Sequence, residues 1–188
     1  MALFRVMDND LALAWQAMKR FCWVVNLGTQ THKLIDPKLI HETMAAVVYR
    51  LLHMNFAARS TDEAVRLGLL AFAHHIFLQW QDIKPLHSNF HSAFRKCILD
   101  VKHVDNVSPQ LILWLLMTGA NSLFDISTEA WLKEYLLEYI IKCHVKTWKE
   151  MHEVLEIVHV DRSIRRTVWE ENIRFARLIF GDGLRIHL

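Results

Sequence analysis

A single all-α domain of about eight helices, spanning residues 1–188, follows from three features of this chain. Glycine and proline are scarce, 5 and 3 in 188 residues, so turns are few and segments long. A sandwich or barrel needs many more such punctuation points. Apolar residues recur three and four positions apart along most of the chain. Tryptophans fall inside these patterns at similar intervals, at Trp114, Trp131, Trp148 and Trp169, as large anchors for stacked helices.

The first helix spans about Asp10 to Asn26, with Leu27-Gly28 as its stop. Asp36-Pro37 opens the second, Asp as cap and Pro at the first helical position, and it runs from Lys38 to Met54. Ile40, Met44, Val47, Val48 and Leu51 share one face of it. Ser60-Thr-Asp-Glu63 is a capping-box pattern for the third, which Lys84-Pro85 ends. Its stripe of Val65, Leu69, Phe72, Ile76 and Trp80 is flanked by Leu67, Leu70, Phe77 and Leu78, an apolar surface broad enough to place this helix centrally. The fourth runs from about His87 to Val101 with Phe90, Phe94 and Ile98 inward, and Ser108-Pro109 starts the fifth. Thr128 and Glu129 precede the sixth, which carries Leu132, Tyr135, Leu136 and Tyr139. Thr147-Trp-Lys-Glu150 is a second capping box, opening a seventh on Met151, Leu155 and Val158. Asp161 caps an eighth presenting Trp169, Ile173, Ala176 and Phe180, and Gly181 stops it.

Composition narrows the partners. Formal charge is +2 and basic residues are interspersed with acids, whereas nucleic-acid binding needs a concentrated basic face. The densest basic run, Arg162, Arg165, Arg166, Arg174 and Arg177, is broken by Glu170 and Glu171 and reads as a solvated helix face with pairs such as Glu170–Arg174. Cys22, Cys97 and Cys143 are dispersed and odd in number, which points to buried free thiols in a reducing compartment, nucleus or cytoplasm. The first eight residues lack the basic and apolar regions of a secretory signal. The uncharged stretch from Asn106 to Phe124 has a strongly apolar part of about 14 residues, short of the roughly 20 a bilayer demands, so a buried core helix is expected there.

Chemistry-bearing patterns are sparse. Twelve histidines include His87 and His91, four apart and able to share a helix face, but a third metal ligand would have to come from a distant segment. His74-His75 are adjacent and diverge, and His41-Glu42 lacks the second histidine of a metalloprotease helix. Neither a G-x-S-x-G elbow nor a phosphate-cradling glycine loop occurs, and Gly181-Asp-Gly183 reads as a turn. Asp161, Glu170 and Glu171 suit capping and solvation better than a paired-carboxylate site. All seven tryptophans, Trp15, Trp23 and Trp80 with the four above, are expected mainly in core packing.

Several segments, taken in order, resemble the regulatory (middle homology) domain of fungal-specific transcription factors. They are Tyr49-Arg50-Leu-Leu52, Leu67-Gly-Leu-Leu-Ala-Phe72, Phe77-Leu-Gln-Trp80, Leu111 to Ala120 around Trp114, Ala130-Trp131-Leu132, and Thr147-Trp148 with Val154-Leu155. The similarity spans about Leu39 to Phe180 and includes Trp169; order and spacing carry it, since each piece alone is merely apolar with an aromatic. The resemblance implies a helical domain that regulates transcription through inhibition, ligand sensing or coregulator contact. In that family a zinc binuclear cluster reads DNA, and three dispersed cysteines cannot hold two zinc ions. The chain is therefore expected to make no nucleic-acid contact of its own. That family domain is also generally larger, so apolar faces left unmet here would favour self-association.

The leading expectation is a non-enzymatic regulatory module without cofactor, in which a protein partner or a small apolar ligand occupies a groove between helices. Two other classes stand beside it: a metal-assisted helical enzyme using the histidines, and a helical oligomerisation scaffold with no ligand.

Overall fold

The computed structural model describes residues 7–32, 36–78, 88–105, 107–147 and 150–151. Within them lie six helices and no strand: α1 (Asn9–Gln30), α2 (Pro37–His53), α3 (Thr61–Leu78), α4 (Ser88–Val101), α5 (Pro109–Ser122) and α6 (Ala130–Lys142). The expected continuation of the third helix towards Lys84-Pro85, the seventh helix beyond Met151, and the whole eighth lie outside the described residues.

Side-chain caps start α1, α2 and α3. Asp36 accepts from the Lys38 amide at 2.9 Å with Pro37 at the first helical position, as that dipeptide predicts. Asp8 caps α1, accepting from the amides of Asp10 at 2.9 Å and Leu11 at 3.2 Å, a signal two residues before the expected start. At α3 the capping box is half made. Ser60 Oγ accepts from the Glu63 amide at 3.1 Å, but the Glu63 carboxylate turns away to Arg66. The second box closes fully: Thr147 Oγ1 accepts from the Glu150 amide, and Glu150 accepts from the amides of Lys146 and Thr147. Ser108 makes no side-chain cap for α5 and donates to the Gln110 side chain instead.

The stop at Leu27-Gly28 is overturned. α1 continues to Gln30, and the residue in the left-handed region is His32, at φ 53°. A glycine inside a helix costs about 1 kcal/mol against alanine, too little to end it by itself.

α3 is central, packed against α1, α2, α4 and α5. α5 is enclosed by α3, α4 and α6, and its residues from Leu111 to Gly119 are all buried. This is the short apolar stretch that fell below bilayer length. Among the described residues no helix is long and apolar enough to cross a membrane.

α3 and α5 approach closely where Gly68 lies against the indole of Trp114. Trp114 in turn tilts against Trp15 of α1, ring centroids 5.4 Å apart, so one contact chain crosses three helices. The expected inward faces are met: Ile40, Met44, Val47 and Leu51 on α2, Phe94 and Ile98 on α4, and Leu132, Leu136 and Tyr139 on α6 are buried, as is Met151.

Polar ties join the helices at their ends. Arg66 grips Glu63 through two nitrogens, at 2.7 and 2.6 Å, and donates its third to the Leu51 carbonyl at 3.1 Å, linking α3 to the last turn of α2. Lys102, just past α4, reaches Glu138 of α6 at 2.8 Å.

Candidate functional site

An apolar recess opens between α1 and α2. There a groove of about 270 Å³ is lined by Ala17, Arg20, Phe21, Val24 and Val25 from α1 and by Leu39, Ile40 and Thr43 from α2. Its origin is the residue pattern of α1. Leu11, Trp15, Met18 and Cys22 face the core, while Trp23, Val24 and Leu27 lie on the outer side with Arg20, where helix α2 covers only part of the apolar surface. Trp23 is 58% exposed and Leu39 53%, large values for such side chains. Arg20 and Thr43 are the polar members of the lining, one on each wall. Among the described residues neither has a hydrogen-bond or ion-pair partner.

The tryptophans thus divide. Trp15 and Trp114 are core residues, at 2% exposure each. Trp23 departs from the core expectation, since its side chain is largely exposed on the outer face of α1. Trp131 is half-buried in a second aromatic row. Phe124 meets it edge-on at 5.3 Å, Tyr135 follows at 6.1 Å, and the Arg95 guanidinium lies 4.9 Å from its ring. Its indole donates to Glu129, which also faces Arg95 at 3.9 Å. Every group in this row is engaged with another, so it braces α4 against α6.

Among the described residues, those that carry the family resemblance lie in different environments. Tyr49 is 64% exposed, its ring stacked on that of His53 with centroids 4.0 Å apart, and Arg50 is exposed beside it. Phe72 is half-buried against the core and Trp114 fully buried. Phe77 lies within α3, but its side chain, with Trp80, Trp148 and Trp169, lies outside the described residues.

His87 lies outside the described residues, and His91 packs edge-on against Phe124 at 5.6 Å. Among the described residues no three His, Cys, Asp or Glu side chains gather as a metal would require. None of the three cysteines is in a disulfide; Cys22 and Cys97 are buried and Cys143 half-buried. Burial, reinforced by the nearby carboxylates of Glu63 and Asp100, pushes the Cys97 thiol up to about 12, the opposite of an activated nucleophile. Burial also raises the Cys143 thiol. Glu138 accepts from both Lys102 and Lys142, which hold its carboxyl below the ordinary range. Both ammonium groups also lie over tyrosine rings, Lys102 at 4.0 Å from Tyr135 and Lys142 at 4.6 Å from Tyr139.

No protein-family model, curated protein or solved structure matches this chain.

Proposed function

We propose that this chain is a non-enzymatic regulatory domain of transcription, similar in kind to the helical regulatory region of fungal-specific transcription factors, that acts by binding at the groove between α1 and α2. The observation that carries the reading is that groove, about 270 Å³ and apolar-walled, beside the exposed side chains of Trp23, Val24 and Leu27. Exposed apolar residues gathered beside a concave surface mark binding sites, because leaving them in water costs free energy that a ligand or partner recovers. Occupation of the groove changes how α1 leans on α2. Through Trp15 and Trp114 that shift reaches α3 and α5, which gives binding a route into the core. The helical pattern supports the same reading, together with a sequence in which no catalytic signature was found.

The test tethers the full chain to DNA through an unrelated DNA-binding module and reads a reporter gene. The tethered chain is expected to raise or lower reporter output. Val24→Asp, which places a charge in the groove wall at a site already 37% exposed, is expected to cancel the effect without unfolding the domain. A well-expressed, folded fusion with no effect on the reporter refutes the regulatory reading.

A further inference from the structure

The groove contains a clue to what it binds. Its walls are apolar apart from Arg20 on α1 and Thr43 on α2, and these two polar groups stand on opposite sides. Several long basic side chains of the described structure meet carboxylates: Arg66 with Glu63, Lys102 and Lys142 with Glu138, Arg95 with Glu129. Arg20 has no acidic partner among the described residues, and the Thr43 hydroxyl no hydrogen-bond partner. A guanidinium presents a planar fork that matches a carboxylate through two parallel hydrogen bonds, and a hydroxyl across the gap supplies a third donor. The space is just below the roughly 300–1,000 Å³ of pockets for drug-sized ligands, so a small molecule fits and a bulky one does not.

From these features we infer that the groove between α1 and α2 is a binding site for a small amphipathic monocarboxylate, its alkyl or aryl body against Phe21, Val24 and Leu39 and its carboxylate held by Arg20 and Thr43. This deepens the binding function proposed above and rests on the groove being its site. Apolar burial supplies affinity without selectivity. The Arg20 fork supplies selectivity for the anion, because a neutral head group of the same length leaves the guanidinium's charge unmatched.

Decanoate, kept below its micelle concentration, is the probe, with decanol as its neutral counterpart, and isothermal calorimetry on the full chain as the readout. Decanoate is expected to bind saturably at one site per chain, at least about tenfold more tightly than decanol. Arg20→Gln, at an exposed position that leaves the fold intact, is expected to weaken decanoate about tenfold or more while leaving decanol unchanged; Thr43→Val is expected to weaken decanoate by a smaller factor. Equal binding of acid and alcohol overturns the inference while leaving the groove as a binding site. Undiminished decanoate binding by Arg20→Gln, or no saturable binding by the wild type, also overturns it. The reporter experiment decides the regulatory reading separately, whichever of these results is obtained.

Discussion

Gly68→Ala is a substitution whose sign separates local helix propensity from tertiary packing. Gly68 lies inside α3, where alanine gains about 1 kcal/mol over glycine if nothing else changes. The structure opposes that gain. A Cβ built there falls 2.5 Å from Cζ3 and 2.6 Å from Cη2 of Trp114, and 2.8 Å from Cδ2 of Leu115. Carbon atoms prefer roughly 3.5–4.0 Å, so the new methyl overlaps three atoms by about 1 Å each. The Trp114 indole cannot swing away freely, because it is 2% exposed and lies against Trp15. Relief then requires α3 and α5 to separate. Overpacking of this kind costs about 1–3 kcal/mol, and three simultaneous overlaps put it at the upper end. Subtracting the propensity gain leaves a net loss of about 2 kcal/mol, a fall in Tm of roughly 4–8 °C for a chain of this size. Urea melts followed by circular dichroism are the assay, with the midpoint shifting and the slope unchanged. Trp114→Leu added to Gly68→Ala is expected to recover part of the loss, a coupling of about 1 kcal/mol or more. Gly119→Ala is the control, since its new Cβ meets Phe94 and Phe124 at 3.0–3.2 Å and small ring shifts relieve it. If Gly68→Ala matches or exceeds the wild type in stability, the close approach of α3 to α5 is not as described.

Trp15→Ala is expected to cost about 3–5 kcal/mol by leaving a cavity in the core, and Trp23→Ala under about 0.5 kcal/mol because its ring is largely in solvent; equal losses in thermal melts would contradict the division of the tryptophans. Alkylation of the native protein at pH 8, followed by peptide mass spectrometry, is expected to modify Cys143 first and to spare Cys97, whose thiol stays protonated until about pH 12; rapid labelling of Cys97 would refute its burial. Comparison of Glu138→Gln with the wild type across pH tests the tie between α4 and α6. The Glu138 carboxyl is depressed in the fold, so its stabilisation is present above its ordinary value of 4.5 and lost as pH falls through the lower folded value. Lys102 is raised, so its share is present below 10.5 and lost as pH climbs through the raised value. The stability difference is expected to be under about 1 kcal/mol, since the pair is partly exposed, and to vanish in acid; a constant difference from pH 2 to 7 would exclude the ion pair as its source.

Much of the helical layout was legible because helices begin and bury their faces by local rules. Asp36-Pro37 and Thr147 with Glu150 needed only their immediate neighbours to form the expected caps, and the stripes of α2, α4 and α6 point inward as their spacing requires. Prediction failed where local groups had a distant competitor. Glu63 was expected to reach back to the Ser60 amide, but Arg66 takes its carboxylate and extends the link to Leu51, fifteen residues earlier in the chain. Gly28 looked like a stop, yet its modest penalty did not halt a helix that continues to Gln30.

The groove was the least legible feature. The signal was present in α1, whose apolar residues occupy more than one face, but the pattern alone does not say which face another helix covers. Composition and periodicity fixed the helical class, the helix starts and the inward stripes, because each depends on contacts within a few residues. Which tryptophans meet, that Gly68 admits the Trp114 ring, and that Arg20 and Thr43 line one groove depend on how whole helices lie together. That placement results from summed packing over the entire core, and no short stretch of sequence contains it.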